Sequence, residues 1–357
     1  MMLMVTKPFE SKIQDIVYNV DVGIGLRLIK VGLYLLFLLS VMVLYTATQF
    51  RGLKEADAMD MAQLGRNLMQ QGKLMTQVIR PASMWYLIEN AKDQNPRMRE
   101  HPDLLHPPVY PVLLATAFRG VRDSFAADKA TRTFLPEQWV VVPLNLMFTV
   151  FTGLLVFLIA RRLFDPRVAL LGITLFFLSD STWSVAISGT GVSVAAFWTP
   201  AAVYAALLAV RQRSESEEKS RWPRPLGVLL CALFTALASL TRYGTVAMVP
   251  ALALYLGWSA RERKGWVVTA YLGLVLLFIA PWLARNWMVC GGLLGLAPYT
   301  VLNGWDPVSD NTFERTLAQS LKIGEVLTTV QVKFLSGMGR LYQGDLRLIG
   351  DGLLGAF

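Results

Sequence analysis

The sequence predicts an all-α, multi-pass membrane protein: a bundle of about seven transmembrane helices, with interfacial amphipathic helices in the first external loop. Three observations predict it. Of the 357 residues, 54% are hydrophobic and only 17% charged, against about 25% charged in a soluble domain. The apolar residues gather in blocks of roughly 16–20, long enough or nearly so to cross a hydrocarbon core of about 30 Å. Basic residues collect in alternate connectors between those blocks. With a mean hydropathy of +0.45, a single soluble core is excluded.

The spans fall near residues 31–49, 138–160, 168–183, 193–210, 226–240, 244–258 and 266–284. Lys7, Lys12, Arg27 and Lys30 precede the first, and Arg161, Arg162 and Arg167 separate the second and third. Arg211, Arg213, Lys219, Arg221 and Arg224 follow the fourth; Arg261, Arg263 and Lys264 follow the sixth. Connector 184–192 has no Lys or Arg, and 241–243 has only Arg242. This alternation is the positive-inside pattern, with the N-terminus cytoplasmic. It assigns the net charge of +9 to topology and lipid phosphates, and no nucleic-acid partner is expected. The expected location is the cell inner (plasma) membrane.

Four regions follow: a cytoplasmic segment 1–30, a transmembrane module 31–285 whose external loop spans 50–137, a second external region 286–350, and the start of a further span at 351–357. The last of these predicts that a longer protein has been truncated. Residues 107–118 form an apolar stretch too short to cross. Counted as a crossing it would reverse every later connector, so it is placed at the outer interface. Cys231 and Cys290 have no ligand spacing, and neither a disulfide nor a metal site is expected of them.

Residues 55–71 of the first external loop read as a helix. At about 100° per residue Met61, Ala62, Leu64, Gly65, Leu68 and Met69 gather on one side. Asp60, Gln63, Arg66, Asn67, Gln70 and Gln71 occupy the other, as in a helix lying in the interface plane. Asp57 stands at its start, where free amides and the helix dipole favour a carboxylate. On spacing alone Asp57 is equally an N-cap. The same loop carries Lys73, Arg80, His101 and His106, followed by Pro107-Pro108. Cations and a carboxylate outside one membrane face can hold a phosphate leaving group and an acceptor hydroxyl together. Arg242 and Arg285 also face outward; a snorkelling interfacial arginine is the structural alternative. Asp180, at the outer end of the third span, reads as a solvated helix-end group.

Four stretches together resemble the GT-C superfamily of polyprenyl-phosphate-sugar glycosyltransferases, in particular protein O-mannosyltransferases and lipid A aminoarabinose transferases. Asp57-Ala-Met-Asp60-Met-Ala-Gln-Leu-Gly-Arg66-Asn67 is similar to the family's D-E-x-x-Y-A-x-x-x-R segment. His106-Pro107-Pro108-Val109 is similar to its H/K-P-P-L element. Leu240-Thr241-Arg242 matches L-T-R, and Pro281-Trp282-Leu-Ala-Arg285-Asn286 matches P-W-x-x-R-N. The resemblance covers roughly residues 30–300. It implies an inverting transfer from a polyprenyl-phosphate sugar to an acceptor hydroxyl on a lipid, glycan or protein, on the extracytoplasmic (periplasmic) face. Asp57 takes the catalytic carboxylate's place and Asp60 is a candidate second acid. His106, Arg80, Arg242 and Arg285 are candidates for the donor phosphate.

No metal is required by such a reaction; a divalent cation held by Asp57 with Asp60 is the alternative. Two departures leave the acceptor open. Ala58 stands where a second acid often follows the catalytic one, and residues 188–193 lack the carboxylate that several members carry. The rival classes are a transporter, a flippase-like protein or a scaffold of lipid-linked sugar metabolism. A transporter should show charged or broken mid-membrane helices, whereas the polar groups here gather on one side.

Overall fold

The computed structural model describes residues 24–91, 100–121, 138–210, 225–260 and 264–300, with short helical pieces between 327 and 336. The basic connectors at 211–224 and 261–263, and residues 337–357, lie outside the described residues. Among the described residues the chain is helical, apart from turns and one antiparallel bridge between Met75 and Pro102.

The chain divides into two units, at 1–50 and 51–357. The first unit holds α1 (Ile24–Gln49), an uninterrupted apolar helix. In the second unit, α2 (Ala56–Gln71), α3 (Pro81–Asn90) and α4 (Val109–Arg119) precede α5 (Gln138–Leu163). Then follow α6 (Pro166–Leu178), α7 (Asp180–Ser188), α8 (Val192–Ala209), α9 (Pro225–Ser239), α10 (Met248–Ser259), α11 (Lys264–Cys290) and the short α12 (Ala297–Thr300).

Every predicted span is helical, but the lengths differ. Among the described residues four helices are long and apolar enough to cross a membrane: α1 from Ile29, α5, α8 and α11. The third predicted span is two helices, α6 and α7, bent by 56°. Ser179 takes an extended conformation between them (φ −71°, ψ 123°). The indole N–H of Trp183 donates to the Phe177 carbonyl freed at this break (2.7 Å), and the two rings stack. At 1.5 Å per residue, the 15 residues of α9 span only about 22 Å. α10 is shorter still because a 3₁₀ turn, Tyr243–Ala247, takes up the segment after Arg242. α11 runs past 284 to Cys290, with Trp282 and Asn286 buried along it.

The charges fix the helix ends. Asp165 caps α6, its carboxylate accepting from the Arg167 and Val168 amides (both 2.8 Å), with Pro166 at the first helical position. At the same end of the bundle Arg162 donates to the Leu207 carbonyl near the end of α8 (2.9 Å). The membrane core packs small residues closely, as helices do where lipid leaves no hydrophobic force between them. Ala202, Ala205, Ala206 and Ala209 of α8 face Val228, Cys231 and Ala232 of α9 in a cluster completed by Leu256 and Tyr271. A Cβ on Gly227 would lie 2.6 Å from the Ala209 Cα. Gly227→Ala therefore forces two backbones apart, and should cost about 1–3 kcal/mol, read as a lower unfolding temperature of the detergent-solubilised protein.

The loop helices depart from the expected surface arrangement. The apolar side of α2 is buried as its period predicts: Met61, Ala62 and Leu64 pack with Tyr110, Leu114 and Phe118 of α4, and Val141 and Phe148 of α5. Its polar side is partly covered as well, with Asp60 and Asn67 buried while Gln70 and Gln71 stay exposed. Residues 73–80 fold back across it. Asn67 donates to the Met75 carbonyl (2.8 Å), the Gln77 amide donates to Gln63 (2.9 Å), and Arg80 pairs with Asp60. The stretch 107–118 forms α4, which is packed between α2 and α5.

Candidate active site

Glu55, and not Asp57, holds the N-cap position of α2, and its side chain makes no capping bond. Asp57 is the second residue of the helix, half-exposed, with its carboxylate free for other contacts. The segment 100–108 lies against it. Asp103 is buried and both its carboxylate oxygens are used by one residue. Oδ2 accepts the His106 backbone N–H (2.8 Å) and Oδ1 faces His106 Nδ1 (3.0 Å). The other imidazole nitrogen, Nε2, lies 3.5 Å from Asp57 Oδ1. A buried imidazole thus stands between two carboxylates.

The electrostatics follow from that geometry. Burial works against the charge on His106, but Asp103, by charge and hydrogen bond, and then Asp57 overcome it, raising the imidazolium pKa to about 10. Burial likewise disfavours charge on Asp57, and His106, with Arg242 and Arg80 farther out, reverses this and holds the carboxyl below its ordinary value. For Asp103 the same His106 contacts outweigh full burial, so it too is lowered. All three shifts favour the same arrangement, an imidazolium between two carboxylates.

Asp57 and His106 line a cavity of about 740 Å³ with Glu55, Arg242 and Tyr243. Ser188, Thr190 and Gly191, between α7 and α8, form another wall. Two sequence features shape that wall. Gly189 ends α7 in the left-handed region (φ 80°), and its carbonyl accepts the Tyr110 hydroxyl (2.8 Å). A side chain there would strain the backbone, and its Cβ, 2.3 Å from Leu53 Cδ2, would push that leucine aside. Asn145 of α5 donates to the Thr190 carbonyl (3.2 Å). The Val109 amide donates to the Leu240 carbonyl (3.0 Å), fastening the His106-Pro107-Pro108 segment to the Thr241-Arg242-Tyr243 turn. The two connectors poorest in Lys and Arg therefore meet the first loop at one end of the bundle.

The six residues singled out from the sequence part company here. Asp57, His106 and Arg242 share the cavity. Arg242 is exposed, and its guanidinium has no hydrogen-bond or ion-pair partner among the described residues. Asp60 and Arg80 are engaged with each other and line no part of it. Arg285 is also engaged elsewhere: it donates to the Asp103 carbonyl (2.8 Å) and to Asn286 Oδ1 (3.0 Å), and lies 4.8 Å over the Trp282 ring. Trp282 in turn donates to the Tyr243 hydroxyl (3.0 Å), so its role is not that of a bare interfacial anchor. His101, buried, faces the Ser83 hydroxyl (2.8 Å) and lies outside the cavity. Sequence reasoning missed Asp103, Tyr243 and the Ser188/Thr190 wall. The signal for Asp103 was present as an acid three residues before a histidine.

Among the described residues no group of three or more His, Cys, Asp or Glu side chains is arranged to hold a metal ion. The carboxylate that lines the cavity beside Asp57 is Glu55, not Asp60.

Residues 125–297 match the dolichyl-phosphate-mannose-protein mannosyltransferase family. That match begins after Asp57, Asp103 and His106 in the chain, and takes in Arg242, Trp282 and Arg285. No curated protein matches the chain. Among solved structures, it is similar to an Archaeoglobus fulgidus oligosaccharyltransferase tethered to an acceptor peptide containing the NVT sequon. The identity is 17%, the TM-score 0.40, and the alignment covers 86% of this chain. The chain spans 38% of the length of that oligosaccharyltransferase chain. Over residues 125–297, just under half of the chain, this multi-pass protein with its apolar membrane helices is similar to that mannosyltransferase family.

Proposed function

We propose that the protein transfers a sugar from a polyprenyl-phosphate donor to an acceptor hydroxyl, with inversion, at the extracytoplasmic membrane surface. One observation carries this reading: a half-exposed carboxylate 3.5 Å from a buried imidazole shares a cavity with an arginine that has no hydrogen-bond or ion-pair partner among the described residues. Asp57 accepts the proton of the acceptor hydroxyl as general base. The hydroxyl oxygen attacks the anomeric carbon, and the bond from that carbon to the phosphate oxygen breaks. The electron pair leaves with the lipid phosphate, and Arg242 offsets the charge that grows there. His106 holds Asp57 in place of binding phosphate, because both its nitrogens already face carboxylates. Ser188 and Thr190, whose hydroxyls bond each other (2.9 Å), line the cavity with polar groups that can accept from sugar hydroxyls without adding charge. A lipid-borne donor suits a cavity at one end of a membrane bundle.

The test is release of free polyprenyl phosphate by the purified protein in nanodiscs, supplied with the polyprenyl-phosphate-sugar fraction of its host's membranes and an acceptor extract. Arg242→Ala should raise the KM for that fraction about tenfold or more, the scale of one lost charge-assisted contact. Absence of release by the unaltered protein, or an unchanged KM in R242A, would overturn the assignment.

A further inference from the structure

We propose that Asp103 is a positioning residue: it pins the His106 imidazole, and through it fixes the Asp57 carboxylate against the cavity. The inference rests on the reading of Asp57 as the base. Asp103 is only 3% exposed and spends both oxygens on His106, one on the backbone N–H and one on Nδ1. These two bonds fix the ring about both of its side-chain torsions and leave Nε2 directed at Asp57. Since Nδ1–H is held by Asp103, a proton on Nε2 makes the ring a cation that faces the base. That cation disfavours protonation of Asp57 in the ground state, so the base is free when the acceptor arrives. A negative charge buried at Asp103 is what keeps the ring doubly protonated.

Asp103 also reaches the opposite wall. Its backbone carbonyl accepts from Arg285 (2.8 Å), Arg285 lies over Trp282 (4.8 Å), and Trp282 donates to Tyr243 (3.0 Å), which lines the cavity next to Arg242. One residue therefore ties the base, through His106, and the phosphate arginine's turn, through α11, to one loop. Arg285 serves that tie as a fastener. Its place in the Pro281-Trp282-x-x-Arg285-Asn286 stretch is explained by this packing without any contact to a phosphate.

The acidic limb of the pH–rate profile is the readout, because a merely structural residue would lower the rate without moving it. The charged and titratable groups around Asp57 are Glu55 beside it in the cavity, His106 from its own loop, Arg80 from the segment after α2, Arg242 just before the 3₁₀ turn, and Tyr110 from α4. Those facing Asp103 are His106, His101, Tyr243 and Arg285. In Asp103→Asn the charge is lost and one of the two acceptors becomes an amide donor; the amide oxygen can keep the His106 backbone N–H, and the amide N–H2 then faces Nδ1, which suits the neutral ring. The imidazolium then titrates at lower pH, its charge leaves the neighbourhood of Asp57, and the Asp57 carboxyl rises toward or above its ordinary value.

The measurement is polyprenyl phosphate release from the host's polyprenyl-phosphate-sugar fraction, by purified protein in nanodiscs, as a function of pH. In D103N the acidic limb of kcat/KM should move up by about one pH unit, the scale of one removed ionic neighbour. Asp103→Glu keeps the charge but displaces it. It should retain the limb of the unaltered protein while kcat falls several-fold at nearly constant KM. D103N with an unmoved limb, or D103E with an unchanged kcat, overturns the proposal. Asp57→Asn assayed in parallel separates the two readings. Normal turnover there removes the base assignment itself, whereas an inactive D57N beside an unmoved D103N limb removes only the role of Asp103.

Discussion

Asp57→Asn is expected to lower transfer by about 10²–10⁴-fold, the range in which a positioned general base contributes, while the protein still inserts and folds. The substitution keeps the size and one oxygen of the side chain. Asp57 is half-exposed and makes no helix-capping bond, so folding loses little. What is lost is proton acceptance, since an amide cannot take the acceptor's proton at any pH in the working range. The loss should fall on kcat more than on the KM of the donor fraction, because Arg242 and the Ser188/Thr190 wall are untouched. Asp60→Asn is the control. Asp60 lies three residues on, but is buried against Arg80 and outside the cavity. Its loss should appear as lower thermal stability with turnover per folded molecule preserved. A D60N protein that is folded and inactive, beside an active D57N, would exchange the two roles. Purified, folded D57N with normal release of polyprenyl phosphate would remove Asp57 from the chemistry altogether.

The apolar blocks were legible because burial in lipid demands long uninterrupted runs, and all of them are helices. The break at Ser179 was not, since the run from Val168 to Trp183 has no proline or glycine at that point to mark it. Its cause is tertiary: the Trp183 indole satisfies the carbonyl that the break exposes. The apolar side of α2 followed from periodicity alone. The burial of Asp60 and Asn67 on its polar side did not, because the pairing of Asp60 with Arg80, and of Asn67 with Met75, depends on where residues 73–80 turn back. No period encodes that turn. Of the candidate phosphate cations, sequence types could not separate Arg242 from Arg285. Both end membrane segments in Arg-containing motifs, and only the packing of Arg285 on the Asp103 carbonyl and Trp282 distinguishes them. Asp103 was overlooked because an acid in a polar loop ordinarily meets water, and its complete burial is visible only once the loop is folded.

His106→Ala should be the most destabilising single change in the loop, costing about 3–5 kcal/mol, as removal of one member of a buried ion pair does. Asp103 would keep the backbone N–H of residue 106 and the neighbourhood of Arg285, but its buried carboxylate would lose the imidazolium at 3.0 Å. The pair also leaves a signature in pH. His106 is raised from 6.5 to about 10 by folding, so the folded protein binds more protons than the unfolded chain across that interval. Its contribution is complete below about pH 6.5 and is lost as pH rises through about 10. The slope approaches 1.4 kcal/mol per pH unit at most. Asp103 is lowered, so its share is present above its ordinary unfolded value and disappears only in acid. Unfolding in detergent followed from pH 6 to 10 should therefore show the unaltered protein losing stability steadily, and H106A losing much less. The double variant H106A/D103A should be more stable than H106A alone, because no unpaired charge remains buried. A flat profile in the unaltered protein, with H106A within about 0.5 kcal/mol of it as for an ordinary surface substitution, would mean that the imidazole between Asp57 and Asp103 does not carry the charge on which the site depends.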